Sequence, residues 1–573
     1  MSSNASSDGE TIDGADDAAE RVEDPSKEAD DAPDAADDAP DAAGDADRPP
    51  TSYEREALAE DLRQLVTAIE SVHADPYRGY DGRVDLHRRL ETTVEELPDE
   101  ATVEEFYRHA APLVAGLADS HSRLCPPEAD DIEDRRLPLS LRVVGEELYV
   151  ESVADDSLRP LLGGRLVSVD GVGVDVLRDR GSSLRSAENR YTVGLFAAGQ
   201  IESYEWLARV LDRPEPPANP EICVAVDGEE RRHRVPPVPE DAEPTAELDP
   251  TVTVPTGSGP RFDRYEDGEA AVFVPGDLMG YREVIEAARA RDAEYTETVA
   301  NEAYESHVGG TPPADLDALV AVLPSMIESL TALVRELAAQ DTETLIVDLR
   351  DNPGGDSRYV QYLAYVLWGW TGVLEAVESA TAVKRRTEAH QDRYGVPEHA
   401  TDEFATAARN PADYDFGHAF RSRDGDRQSR LERIREQLNA GSVATELESG
   451  LHEGYYRPER VIVATTAGTM SSGFAGAAML STLGAEVVGV PSGQAPISFG
   501  EPVEERLANT GLPVEIAGSM YRWVPDPEGD VLAMDRELTP ELFERYDRAG
   551  DAVLRLAFDH AGVTEPGAVP DPI

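Results

Sequence analysis

Apolar residues recur at helical spacing early in the chain: Leu58, Leu62, Leu65 and Ile69 form one stripe, and Leu86, Leu90, Val94 and Leu97 a second. A third predicted helix opens at Thr102-Val-Glu-Glu105, the spacing of a capping box. It turns Phe106, Ala110, Leu113 and Leu117 inward and ends near Ala118, which puts Asp119-Ser120-His121-Ser122 on the following loop. From about 136 to 237 the pattern shortens to strands, at Leu137 to Val144, Leu148 to Val153 and Arg165-Leu-Val-Ser-Val-Asp-Gly171. The proline-rich stretch Val235 to Pro255 reads as a linker.

From about 262 onward predicted strands and helices alternate, as in an α/β domain. Ala270 to Val274 is a strand, and Ser325 to Gln340 is an amphipathic helix with Ile327, Leu330, Val334 and Leu337 on one face. It leads into the apolar strand at Leu345. Residues from about 375 to 455 are charged and irregular, longer than compact connections usually are, and read as an insertion carrying a helix from Arg427 to Leu438. The Val461 strand, a helix after Ser472 and a strand from Ala485 to Val490 follow.

Composition changes the picture at the N-terminus. Residues 1–50 are mostly Asp, Ala, Glu, Ser and Pro, with too little apolar surface to offset chain entropy, so a disordered acidic tail is expected. The formal net charge of −63 excludes nucleic acid as a main partner, since such binding needs cations against phosphates. Lys27 and Lys384 are the only lysines; arginine supplies the remaining positive charge. An acidic, lysine-poor surface suits concentrated salt, where screening removes self-repulsion. Cys125 and Cys223 are too few for a disulfide framework and lack metal-ligand spacing, so no metal or other cofactor is expected. A basic leader and an apolar run of about 18 residues are both missing, which leads to the expectation of a cytoplasmic protein without a membrane span.

Two strand ends carry candidate chemistry. Leu345-Ile-Val-Asp-Leu-Arg-Asp-Asn-Pro-Gly-Gly-Asp356 runs from a buried strand into a turn with two glycines, Gly354 and Gly355, whose amides can face an oxyanion. Val461-Ile-Val-Ala-Thr-Thr-Ala-Gly-Thr-Met-Ser-Ser-Gly473 ends in a serine pair where a strand turns into a helix. One of those serines is, on the simplest view, the helix N-cap. A serine nucleophile needs a base, His or Lys. Lys27 falls in the tail and Lys384 sits beside Arg385 and Arg386 as a solvated charge, whereas His121 stands on a short loop between two serines.

These motifs, in this order, resemble the serine peptidases of the C-terminal processing (tail-specific) protease and tricorn-core family. Asp119-Ser120-His121-Ser122-Arg123-Leu124 is similar to the motif after the family's cap helices, and Val347-Asp-Leu-Arg-Asp-Asn-Pro-Gly-Gly355 to its Asp-Leu-Arg-x-Asn-x-Gly-Gly. Thr469-Met-Ser-Ser-Gly473 resembles the nucleophile turn and would make Ser471 the nucleophile, with Ser472 the fallback. Val487-Val-Gly-Val-Pro-Ser-Gly-Gln-Ala-Pro-Ile-Ser-Phe-Gly-Glu501 looks like a later family motif in which Gln494-Ala495 replaces the processing branch's Lys. The resemblance implies an α/β core of crotonase/Clp-protease type over 262–573 with an insertion at about 375–455. It also implies a helical cap over 51–134, a PDZ-like β-rich domain over 135–237 and a linker over 238–261.

Without that lysine, activity would follow the tricorn-like branch. Ser120 and His121 would then supply the base and its supporting hydroxyl, Gly354 and Gly355 the oxyanion hole, and Glu528, six residues ahead of Met534-Asp535, a supporting carboxylate. The implied function is that of a serine endopeptidase or C-terminal processing peptidase acting on peptides or unfolded proteins, with a homo-oligomer compatible. The alternative is a catalytically degenerate peptide- or ligand-binding protein, favoured by the missing Lys and by Phe474 in place of a family Glu. A crotonase-type acyl-CoA enzyme is disfavoured, because no basic site for the CoA phosphates is apparent.

Overall fold

The computed structural model describes residues 52–563 apart from 128–134, 253–256, 258, 266–268, 291–295, 386, 388, 391–413, 416–425 and 440–455. The acidic tail, Lys27 and most of the expected insertion lie outside the described residues.

The early helices form as Arg55–Val72, Arg83–Glu96 and Val103–Ala115. The third has the expected capping box: Glu105 N–H donates to Thr102 Oγ1 at 3.2 Å, and Thr102 N–H donates to Glu105 Oε2 at 2.9 Å. It stops three residues short of Ala118, whose φ of 54° no α-helix accommodates. Leu58, Leu62, Leu65, Ile69, Leu86, Leu90, Phe106 and Leu113 are buried together with Val503, Val514 and Ile516. Those last three belong to the long antiparallel pair Ile497–Arg506 and Pro513–Arg522, onto which the helices pack.

The predicted strands between 137 and 171 form as Leu139–Val144, Glu147–Val153 and Arg165–Val169, joined in one sheet with Glu221–Val226 and Glu229–Arg234. Three helices, Val174–Leu184, Arg190–Glu202 and Tyr204–Leu211, interrupt this region. The strand-only reading of 136–237 is thus incomplete. Arg190–Glu202 has buried residues all round its circumference, so it shows no apolar stripe to read. The proline-rich stretch is also tied down, with Val238–Pro239 paired to Arg135–Arg136 and Ala246–Glu247 to Ser152 and Val153.

A six-stranded sheet holds the strands that carry the two motifs. Its order is Arg261–Tyr265, Ala270–Val274, Thr344–Asp348, Arg460–Thr465, Glu486–Gly489 and Arg536–Glu537, parallel except for the first strand. Alternation divides the strand residues between two cores. Leu345, Val347, Val461 and Val463 meet Leu330, Leu363 and Ala477 of the helices Met326–Gln340, Arg358–Ser379 and Ser471–Thr482. Ile346, Ile462 and Val488 face Leu554 and Phe558 of the helix Ala552–Ala561 on the other side. Leu345 is paired with Val461 and Asp348 with Ala464, so both motif strands end at one edge of the sheet. The carboxyl edge of parallel strands is where such sheets form their sites.

The long strand pair closes the arrangement. Arg123–Leu124, immediately after the His121 loop, pairs with Val514 and Glu515, and Thr381–Arg385 pairs with residues 519–522. The start of the expected insertion is therefore ordered onto this sheet, and its helix forms as Arg427–Asn439.

Candidate active site

Hydrogen bonds staple the two strand-end loops together. Thr466 Oγ1 donates to Asp351 Oδ1 at 2.7 Å, Thr469 Oγ1 donates to the Leu349 carbonyl at 2.7 Å, and the Met470 amide donates to the Asn352 carbonyl at 2.9 Å. Arg350 folds back on Asp348 with two 2.8 Å bonds. Gly354 lies so close to the serine turn that a Cβ there would be 2.5 Å from Ser471 Cβ and 3.0 Å from its Oγ. Its φ of +113° and the +130° of Gly355 are glycine conformations.

Ser471 is half-buried at the first position of the helix Ser471–Thr482, with a φ of 49°. A left-handed serine on a strand-to-helix turn is held out from the chain, the geometry of a nucleophile elbow. Ser472 differs: it is buried, and its Oγ donates to the Gly355 carbonyl at 2.6 Å. Of the two glycine amides, that of Gly354 donates to Asn352 Oδ1 at 3.1 Å. Gly354 therefore supplies close approach and not a free donor, and the Gly355 and Ser472 amides are those without an acceptor among the described residues.

Around His121 the loop is built on Asp119, which is fully buried and accepts from the His121 amide at 2.8 Å, from Ser122 Oγ and from His73 Nε2 at 3.2 Å. His73 Nδ1 accepts the Asp75 amide at 3.0 Å, which assigns the His73 proton to Nε2. Burial works to raise the Asp119 pKa, but the His73 bond, the electrostatic influence of His73 and His121 and the Ser122 bond outweigh it and hold the carboxyl below its usual range. Ser120 Oγ lies 3.4 Å from His121 Nδ1 and donates to Glu188 Oε1 at 2.8 Å. His121 Nδ1 is 3.9 Å from both Asp119 Oδ1 and Glu188 Oε1, and its side chain is 25% exposed. Burial, then the Asp119 charge, push the Glu188 pKa up to about 8, against the bonds from Ala495 and Ser120.

Glu188, which no sequence motif marks, is the carboxylate bonded to Ser120. Glu528 is exposed and lines a cleft with Glu486 and Pro496, and Asp530, two residues on, accepts a bond from Asn189 Nδ2 on its carbonyl at 3.0 Å. Met534-Asp535 is committed to the sheet edge, where Asp535 exchanges two backbone-directed bonds with Val487. Glu188 is 68 residues from Ser120 in a segment of no recognisable motif, and a lone Glu ahead of an Asn N-cap carries no signal of its own.

Gln494, which replaces the expected Lys, accepts the Ser471 amide on Oε1 and donates from Nε2 to Ser498 Oγ at 2.7 Å. The next amide, that of Ala495, donates to Glu188 Oε2 at 2.6 Å. Among the described residues no hydrogen bond joins Ser471 Oγ to His121. The two are connected through Gln494, Ala495, Glu188 and Ser120. Lys384 is not a solvated charge: it is mostly buried in an ion pair with Glu501, which also bonds His390 Nε2 at 2.9 Å and Ser519 Oγ at 2.6 Å. Cys125 and Cys223 are free thiols, half-buried and buried.

Residues 320–498 match the family model described as peptidase family S41. No curated protein matches the sequence. Among solved structures, mature CPAF complexed with lactacystin is 16% identical, covering 89% of this chain and 99% of its own, with a TM-score of 0.54. Mature CPAF alone gives 0.51 at 16% identity over 89% and 97%. The photosystem II D1 C-terminal processing protease is 13% identical over 85% and 94%, at a TM-score of 0.36. The mixed α/β fold with several sheets is thus shared with the CPAF structures, and among the described residues no helix is long and apolar enough to cross a membrane.

Proposed function

We propose that this chain, whose residues 320–498 match the model of peptidase family S41, is a serine peptidase that cleaves peptide bonds with Ser471 as nucleophile and His121 as general base. Ser471 Oγ attacks the scissile carbonyl while His121 Nε2 takes its proton, and the amides of Gly355 and Ser472 receive the oxyanion. His121 returns the proton to the leaving amine, and then activates the water that releases the acyl group from Ser471. Ser120 and Glu188 position the imidazole. The observation that carries this reading is the left-handed Ser471 at a helix N-terminus, packed on the double-glycine turn. Removing one oxyanion donor typically costs about 10²–10³ in turnover.

The substrates are extended peptides or unfolded proteins, cut internally or near a C-terminus. A fluorophosphonate probe applied in molar salt is expected to label the wild type and not Ser471→Ala. Labelling of both rejects Ser471 as nucleophile. A second reading, a catalytically degenerate peptide binder, draws on the Ser471 amide capped by Gln494 and on the missing direct bond to His121; labelling of neither protein would establish it.

A further inference from the structure

Ser120 Oγ stands between two partners, His121 Nδ1 at 3.4 Å and Glu188 Oε1 at 2.8 Å, and a hydroxyl has one proton to give. The chain of bonds can therefore run in two directions. With Glu188 ionised, Ser120 donates to Oε1 and turns its lone pairs toward Nδ1. That favours the Nδ1–H tautomer of His121, which leaves Nε2 as the basic atom that Ser471 requires.

Protonating Glu188 reverses every link. Oε2 already accepts the Ala495 amide at 2.6 Å, so an added proton resides on Oε1 and is donated to Ser120 Oγ. The Ser120 proton then points at Nδ1, which must offer a lone pair. His121 stays neutral but loses its Nδ1 proton and gains one at Nε2 through solvent, which reaches a ring 25% exposed. In balance, one proton has entered from water and rests on Glu188. The catalytic nitrogen is no longer a base.

Which carboxyl takes that proton is decided by the neighbours. The Asp119 and Glu188 oxygens and the His121 nitrogen lie within 4.8 Å of one another, with the acidic side chains 0% and 1% exposed. Asp119 is saturated by three donors, the His121 amide, Ser122 Oγ and His73 Nε2. Glu188 is bonded by the Ala495 amide and by the Ser120 hydroxyl, with the Ser120 amide also directed at it, but no histidine, arginine or lysine bonds to it among the described residues. The titratable groups that face it among the described residues are Asp119 and His121, on the loop after the third helix, and the 494–495 segment on its other side carries no charge. The shared proton falls to Glu188, in keeping with a carboxyl pushed up to about 8 by burial and the Asp119 charge.

We propose that Glu188 is a positioning residue that acts as a proton-controlled switch of the His121 tautomer through Ser120, so that Ser471 is activated only when Glu188 is ionised. This rests on the assignment of Ser471 and His121 as nucleophile and base.

The test is the second-order rate of fluorophosphonate labelling from about pH 6 to pH 10 in molar salt, for wild type, Glu188→Gln, Ser120→Ala and Ser471→Ala. The wild-type rate should climb about tenfold per pH unit below pH 8 and level off above it. Glu188→Gln must present its NH₂ to Ser120, because the Ala495 amide needs the carbonyl; labelling should fall about 100-fold and lose the rise at pH 8, with thermal stability retained. Ser120→Ala cuts the chain and should also abolish the rise, at a low flat rate, which covers the case of a poorly folded Glu188 variant. A wild-type midpoint near the ordinary His value of about 6.5 that Glu188→Gln leaves in place overturns this inference alone. Undiminished labelling of Ser471→Ala overturns Ser471 as the nucleophile and this inference with it.

Discussion

The amide of Ala495 donates to Glu188 Oε2 at 2.6 Å across 307 residues of sequence. It joins the segment that caps the Ser471 amide to the carboxylate that holds Ser120, and so ties the nucleophile side of the site to the base side.

The two serines of the turn should separate cleanly. Ser472→Ala removes the bond to the Gly355 carbonyl, a loss of about 1–2 kcal/mol read from urea melts, and should keep fluorophosphonate labelling. Labelling lost in Ser472→Ala and kept in Ser471→Ala would transfer the nucleophile role to Ser472.

Gly354→Ala should abolish activity while Ser471 and His121 stay chemically intact. The φ of +113° disfavours any L side chain, and the new methyl would overlap Ser471 Cβ, so the turn must shift away from the nucleophile. Peptidase activity above about a tenth of wild type would contradict the close packing of the two loops.

Lys384→Met should destabilise the protein by about 3–5 kcal/mol, because it leaves the Glu501 carboxylate largely buried with its cation gone. Against burial, the His390 bond and the Lys384 charge hold the Glu501 pKa well below the usual carboxylate value. A depressed carboxyl contributes stability that is full above its unfolded pKa of about 4.5 and is lost as the pH falls below it. The wild type should therefore weaken in denaturant melts from pH 5 down, and Lys384→Met should show less of that slope.

Glu202 carries the opposite sign. It is half-buried, accepts the Leu141 amide at 2.7 Å, and has its pKa pushed up to about 8 by desolvation, opposed by that bond, with a further rise from Glu151. Its folded form binds a proton that the unfolded chain has already released, so stability falls as the pH rises from about 4.5 to about 8. Glu202→Gln keeps an acceptor for Leu141 without the charge. It should gain a few kcal/mol relative to wild type at pH 8.5 and little at pH 5; equal gains at both would remove Glu202 as a source of the slope.

Salt should matter to the whole chain. At a net charge of −63, unscreened repulsion opposes compactness, and melting temperature should rise steadily from about 0.05 M to molar salt. A melting temperature independent of salt would remove the reading of the surface as one suited to brine.

Much of this was legible in local pattern. The stripe at Leu58, Leu62 and Leu65 and the capping box at Thr102 became helices because their signals need only a few neighbouring residues. The helix Arg190–Glu202 was invisible because it is buried all round, and strict periodicity marks only half-buried elements. Gly354 was marked as an oxyanion donor on its residue type, but its amide faces Asn352 Oδ1, a matter of how one turn folds on itself. Glu528 rests on resemblance, and no hydrogen bond joins it to Ser120 or His121 among the described residues.

By itself the sequence determined the strands that end in Gly354-Gly355 and Ser471-Ser472, the loop that carries Ser120-His121, and the absence of a lysine where one was expected, since each is written in contiguous residues. Only the tertiary structure decided which carboxylate meets the histidine. Glu188 reaches Ser120, His121 and Ala495 through contacts 68, 67 and 307 residues apart. Burial beside Asp119 then sets its proton affinity, and burial is a property of the packed chain that no local stretch of residues contains.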